Sequence, residues 1–176
     1  MEKAFFAGGC FWCTETIFTE LLGVLMVIPG YMGGHKENPT YEQVCQGTTG
    51  HAEVIEVDFD PKLISYEELL DIFFATHNPT TLNRQGADVG TQYRSEIFYT
   101  SESQKLKAEK FIAALQTERV FDAPIVTKIS KAPKFYKAED YHLNYYKQNP
   151  NQPYCEAVIN PKLQKFRKNF KDKLKR

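Results

Sequence analysis

Lys3-Ala4-Phe5-Phe6-Ala7-Gly8-Gly9-Cys10-Phe11-Trp12-Cys13-Thr14-Glu15-Thr16-Ile17-Phe18-Thr19-Glu20-Leu21-Leu22 changes its periodicity midway. Up to Ala7 it is a short apolar run, which reads as a strand. From Thr14 the apolar residues Ile17, Phe18, Leu21 and Leu22 fall at helical spacing. Cys10 is therefore expected at a strand-to-helix turn, where free amides and the positive end of the helix dipole favour a thiolate, the reactive form of cysteine. Gly8 and Gly9 allow tight turning and let another molecule approach the sulfur. A cysteine taken alone is most often a small buried hydrophobe. A thiol beside the chain's only tryptophan, with a second thiol three residues on, argues instead for chemistry.

Outward from this turn, Val24 to Ile28 is an apolar run leading to the flexible loop Pro29-Gly30-Tyr31-Met32-Gly33-Gly34. His51 to Asp60 alternates, with Ala52, Val54 and Val57 among Glu53, Glu56 and Asp58, and reads as a strand with one wetter face. Ser65-Tyr66-Glu67-Glu68 is a capping box; its helix carries Leu69, Leu70, Ile72, Phe73 and Phe74 and stops near Asn78-Pro79. Thr80 to Arg94 is a polar loop too long for a plain connection. Ile97-Phe98-Tyr99 and Ile125 to Ile129 read as strands, Ser101 caps a helix reaching Thr117, and Asp140 to Tyr146 is helical. Asn149-Pro150-Asn151-Gln152-Pro153 belongs to an irregular arm, about 148–159, that carries Tyr154 and Cys155. Asn160 as N-cap and Pro161 then open a C-terminal helix, about 160–174, with Leu163, Phe166, Phe170 and Leu174 on one face. The order predicts an α+β domain with helices packed on a mixed sheet.

At 176 residues one domain, 1–176, suffices to bury a core without disulfide staples. Lysines plus arginines equal aspartates plus glutamates at 22 each, so no global field attracts nucleic acid or anionic membrane. The C-terminal helix has a basic face of Lys162, Lys165, Arg167, Lys168, Lys171, Lys173, Lys175 and Arg176, which reads as solvated. With no basic leader and no run of membrane-spanning length, a cytoplasmic protein is expected. Four cysteines (Cys10, Cys13, Cys45, Cys155) are too few for a disulfide scaffold.

Polar clusters elsewhere offer partners for the thiol. Partial burial of Glu53 would raise its pKa and keep it available as a proton donor. Tyr41 and Tyr93 offer phenols to a ligand oxygen. Asp88 in a loop is by default a turn residue.

Five blocks in order, Gly9-Cys10-Phe11-Trp12, Gly30-Tyr31-x-Gly33-Gly34, Pro39-Thr40-Tyr41-Glu42-x-Val44-Cys45-x-Gly47-x-Thr49-Gly50-His51-x-Glu53, Asn83-Arg84-Gln85-Gly86-x-Asp88-x-Gly90-x-Gln92-Tyr93-Arg94-Ser95 and Ala138-Glu139-Asp140-Tyr141-His142, resemble the A class of methionine sulfoxide reductases. The resemblance runs from Ala4 to Phe170. It implies a two-layer sandwich with a ferredoxin-like core and extra elements, and reduction of methionine S-sulfoxide, free or in proteins, without metal or cofactor. Cys10 would be the nucleophile, Phe11 and Trp12 the wall for the substrate methyl, and Glu53 the acid that protonates the sulfoxide oxygen. Tyr41 and Tyr93 would hydrogen-bond that oxygen, and Asp88 would orient the site. Sulfoxide oxygen leaves only when protonated, and the resulting sulfenic acid needs a second thiol and an external, thioredoxin-type reductant. Cys155 is placed ahead of Cys13 as that resolving thiol, because a flexible arm can swing to Cys10; both remain open. Two positions depart from the family's usual pattern. Cys13 stands where many relatives have glycine, and Asn78, where aspartate is common, is expected to be structural. Cys45 is read as a packed thiol, and the protein as a monomer.

Two other readings compete. A thioredoxin-like disulfide oxidoreductase shares the Cys-x-x-Cys signature but leaves Glu53 and the tyrosines without work. A zinc module would use Cys10 and Cys13 with two of His35, Cys45 and His51, at a spacing that fits no common zinc ribbon.

Overall fold

The computed structural model describes residues 1–175. Its elements are β1 (Glu2–Gly8), α1 (Phe11–Thr19), β2 (Val24–Met32), α2 (Tyr41–Cys45), β3 (Ala52–Phe59), α3 (Tyr66–Ala75), the hairpin β4 (Arg84–Gln85) and β5 (Asp88–Val89), β6 (Ser95–Tyr99), α4 (Glu102–Thr117), β7 (Lys128–Lys131), β8 (Tyr136–Lys137), α5 (Tyr145–Gln148) and α6 (Asn160–Asn169). The main sheet has the order β7-β6-β1-β3-β2-β8, parallel only at β6–β7. Its four inner strands, with α1 and α3 as crossovers, form the β-α-β-β-α-β ferredoxin-like arrangement, so the mixed-sheet α+β sandwich expected from the sequence is the fold.

Both faces of β1 are buried, which is why it reads as a continuous apolar run. Ala4 and Phe6 face the helices, where the Phe6 ring lies 5.4 Å from Phe18 of α1 and 5.0 Å from Phe73 of α3. Phe5 and Ala7 face the opposite side with Met32, Val54 and Phe98, covered by Ala132 and Phe135. Phe6→Ala, at a fully buried ring, should lower the unfolding free energy by about 3–5 kcal/mol, measurable by urea titration. The Ser65 box forms as expected: Ser65 Oγ accepts from Glu68 N at 3.1 Å, and Ser65 N donates to Glu68 Oε1 at 3.3 Å.

Four segments differ from the sequence reading. β2 runs on through Pro29 to Met32 where a loop was expected; pairing with β3 and β8 outweighs the Pro-Gly breaker, and the Pro29 carbonyl accepts from Ala138 N at 2.9 Å. The strand expected at 125–129 lies at Lys128–Lys131. Asp140 to Tyr146 is broken, because Asn144 adopts φ 55° between a 3-10 turn (Asp140–His142) and α5. The irregular arm is largely absent: a helix starts at Pro153 and passes through a π turn (Cys155–Ile159) into α6. Pro153 opens that helix, where its missing N–H costs nothing. Asn160 is consequently helical and not a cap, and its Oδ1 accepts from Tyr146 Oη at 2.9 Å. α6 stops at Asn169, and Leu174 instead bridges to Leu21. On the basic face Arg167 pairs with Glu20 and Lys173 with Glu68; Arg176 lies outside the described residues. Among the described residues no helix is long and apolar enough to cross a membrane.

Candidate active site

The turn between β1 and α1 places Cys10. Gly9 has φ +95°, and a Cβ there would lie 2.6 Å from Gln85 Cγ, so both backbone and space demand glycine. Cys10 follows as the N-terminal cap of α1, its carbonyl accepting from Cys13 N at 3.1 Å. The strand-to-helix placement is as the sequence predicts; the ionisation is not. Trp12 N–H supports the Cys10 sulfur as a helix end should, yet desolvation outweighs it and pushes the thiol well above the ordinary cysteine value. At rest Cys10 is a thiol, in one apolar cluster with Cys13.

Glu53 approaches the same turn from β3. The strand is buried nearly throughout, so the wetter face expected at Glu53 does not exist. Its Oε1 accepts from Phe11 N at 3.1 Å, while Oε2 is buried without a partner. Burial pushes the carboxyl from 4.5 up to about 8, leaving a neutral, proton-bearing acid at neutral pH. The Tyr41 and Tyr93 phenols, half-buried and raised by desolvation, lie close enough to feel the charges of Glu53 and Cys10. Tyr41 is held from behind by Glu139, which accepts from Tyr41 N at 2.9 Å and from Tyr31 Oη at 2.8 Å.

Beside Cys10 stands an aromatic wall. Phe11 is fully buried against Tyr31 and Tyr41. Trp12 donates from Nε1 to His142 Nδ1 at 2.9 Å, fixing the His142 proton on Nε2, and stacks on Tyr145 with centroids 3.8 Å apart and planes 6° from parallel. Tyr154 meets the indole edge-on, lies 3.9 Å from Cys13 Sγ, and donates to Asp88 Oδ2 at 2.7 Å. Asp88 is therefore more than a turn residue.

Cys155 is fully buried and shares one apolar cluster with Cys10, Cys13 and Ile159. The expected swing of an arm is not needed to bring it near. Cys45 corrects in the other direction: it is exposed, not packed. Asn78 is structural as expected, its Oδ1 accepting from Thr80 N at 3.0 Å in a turn. His51 accepts from Gly34 N and bonds Lys36 O, a structural role, and among the described residues no group of three or more potential ligands could hold a metal. The work of Glu139 and His142 is not legible in the sequence, because their partners Tyr31, Tyr41 and Trp12 lie about a hundred residues away along the chain.

The profile described as peptide methionine sulfoxide reductase matches residues 2–174. The MsrA peptide methionine sulfoxide reductase of Chromobacterium violaceum is 58% identical over 170 residues, 97% of each chain. Among solved structures, reduced Mxr1 from Saccharomyces cerevisiae superposes with a TM-score of 0.80 at 36% identity, covering 86% of this chain and 87% of that one. A second, of Mxr1 in complex with Trx2, gives 0.58 at 26% identity, covering 82% and 84%. These likenesses span the strands, the cysteine turn and the Glu53 strand alike, and with them the chain belongs to the peptide methionine sulfoxide reductase family, in its A class.

Proposed function

We propose that this reductase converts methionine S-sulfoxide to methionine with Cys10 as nucleophile and Glu53 as acid. The observation that carries the assignment is a neutral, buried carboxyl with one free oxygen at the turn that holds the buried thiol. Cys10 sulfur attacks the sulfoxide sulfur while Glu53 gives its proton to the sulfoxide oxygen, and the Cys10 proton replaces the one Glu53 gave up. The oxygen ends on Cys10 as a sulfenic acid, and methionine leaves; the methionine sulfur has gained the two electrons the cysteine lost. Tyr41 and Tyr93 donate to the oxygen as it gathers charge. Phe11 and Trp12 receive the methyl group. Asp88, through Tyr154, holds the cover over the site in place.

Cys155 then attacks the sulfenic sulfur, giving a disulfide and water, and a thioredoxin-type dithiol reduces the pair. Its position supports this: Cys155 is buried on a separate element in the cluster that holds Cys10, whereas a Cys13 bond would have to close within the first helical turn that also holds Phe11 and Trp12. The solved complex of Mxr1 with Trx2 supports a thioredoxin as reductant. A thiol cycle without structural disulfides suits a reducing, cytoplasmic setting, in which we read the enzyme as a monomer and residues 1–176 as one catalytic domain.

Trapping the sulfenic acid with a dimedone probe and mapping it by mass spectrometry tests the assignment; label on any cysteine but Cys10 would overturn it. Cys155→Ser should still release one methionine per enzyme at close to the wild-type rate, because sulfenate formation needs only Cys10. Turnover with thioredoxin should then collapse, while small thiols rescue some activity. Normal thioredoxin-driven turnover in Cys155→Ser, with Cys13→Ser stalling after one product, would transfer the resolving role to Cys13.

A further inference from the structure

Glu15 is buried, pairs with no cation among the described residues, and has no part in the chemistry above. It lies on α1 three residues after Trp12, with Oε1 buried and unpartnered. Its Oε2 accepts from Asn144 N at 2.9 Å. That amide belongs to the residue at the start of α5, which makes no side-chain cap of its own, so Glu15 ties the start of the helix to α1 from across the interface. The residue that follows, Tyr145, is the one whose ring lies flat on Trp12. Asn144, whose N–H makes this bond, adopts a left-handed conformation at φ 55°.

We propose that Glu15 is a positioning residue for Trp12: by holding the Asn144 main chain, one residue before Tyr145, it keeps the Tyr145 ring stacked on the indole and so fixes the apolar wall beside Cys10. The consequence for substrate rests on the reading of Trp12 as the methyl-binding wall; the clamp itself does not. Without the carboxylate, the Asn144 amide loses its acceptor, the start of α5 is released, and the indole loses its stacked partner while keeping the His142 hydrogen bond and the Tyr154 edge.

Trp12 is the only tryptophan, so its fluorescence reads the clamp directly. In Glu15→Ala and in Tyr145→Leu, acrylamide quenching should rise about twofold with a red-shifted emission, the exposure expected on losing one stacked partner. Quenching is measured well below each variant's Tm, and combining the two substitutions should add nothing further. Glu15→Gln keeps an acceptor and should restore wild-type quenching. In single turnover, Glu15→Ala should raise the half-saturating sulfoxide concentration about tenfold, while the sulfenate-forming rate at saturation stays within about threefold. Unchanged quenching in Tyr145→Leu, or an additive increase in the double variant, overturns the clamp, even if Glu15→Ala alone fails to fold. Raised quenching with unchanged saturation supports the clamp and overturns the role of Trp12 as the substrate wall.

Discussion

Cys10→Ser should leave no measurable reduction of methionine sulfoxide, in single turnover or with thioredoxin. In the proposed mechanism sulfur at Cys10 is needed twice, first to attack the sulfoxide and then to carry its oxygen as a sulfenic acid that a second thiol can displace. A serine hydroxyl has a negligible oxyanion population at neutral pH, and the site holds no base to make one: Glu53, the nearest carboxyl, is itself protonated. Cys13, whose sulfur lies 3.9 Å from Tyr154 Oη in the cluster that also holds Cys155, should not stand in for it. Replacing sulfur by oxygen at the cap of α1 alters little packing, so the variant should unfold close to the wild-type temperature, which separates lost chemistry from lost fold. Chromatographic assay of methionine after mixing with excess sulfoxide checks this. Turnover near the wild-type rate would remove Cys10 from the mechanism.

The sequence showed the turn at Cys10 clearly because two periodicities meet there, one of a buried strand and one of an amphipathic helix, with glycines between. It showed the start of α3 because a capping box is local chemistry. It misjudged Pro29 and Pro153 for a shared reason. A proline's cost depends on whether its N–H position would have been bonded, and that is settled by neighbours in space: β3 and β8 around Pro29, the first turn of a helix at Pro153. The ionisation of Cys10 was misread likewise. A helix end can be inferred from sequence, but the depth of burial that outweighs it comes from α5, the π turn and Tyr154 closing over the sulfur. Glu53 was legible as a candidate acid, though the degree of its isolation was not. The supports behind the site, Glu139 under Tyr31 and Tyr41 and His142 under Trp12, could not be paired without the fold.

Glu53→Gln should slow the first, sulfenate-forming step by a factor on the order of a hundred or more, the scale of general acid catalysis. The amide keeps an oxygen to accept from Phe11 N, so the turn at Cys10 survives while the transferable proton is gone. The pH dependence follows from the raised carboxyl. Glu53 carries its proton below about 8, so the wild-type burst should persist through neutral pH and fall as pH rises through that value; the variant should lack this limb. Stability moves in the same sense. In the folded protein the proton is held up to about 8, against an ordinary value of 4.5, so the unfolded chain binds fewer protons between the two. Stability conferred by the neutral carboxyl is complete below the lower value and is lost as pH climbs through the higher one. Glutamine, which cannot ionise, should escape that loss, and the variant's unfolding free energy relative to wild type should grow from about pH 5 to about pH 9. The enzyme would then be holding a costly buried acid for its proton alone. Rapid-quench measurement of the methionine burst across pH, with denaturant titration at both ends, tests both halves. An unchanged burst rate at neutral pH would make Glu53 a bystander, and parallel stability profiles would mean that its carboxyl is ionised as easily in the fold as in the unfolded chain.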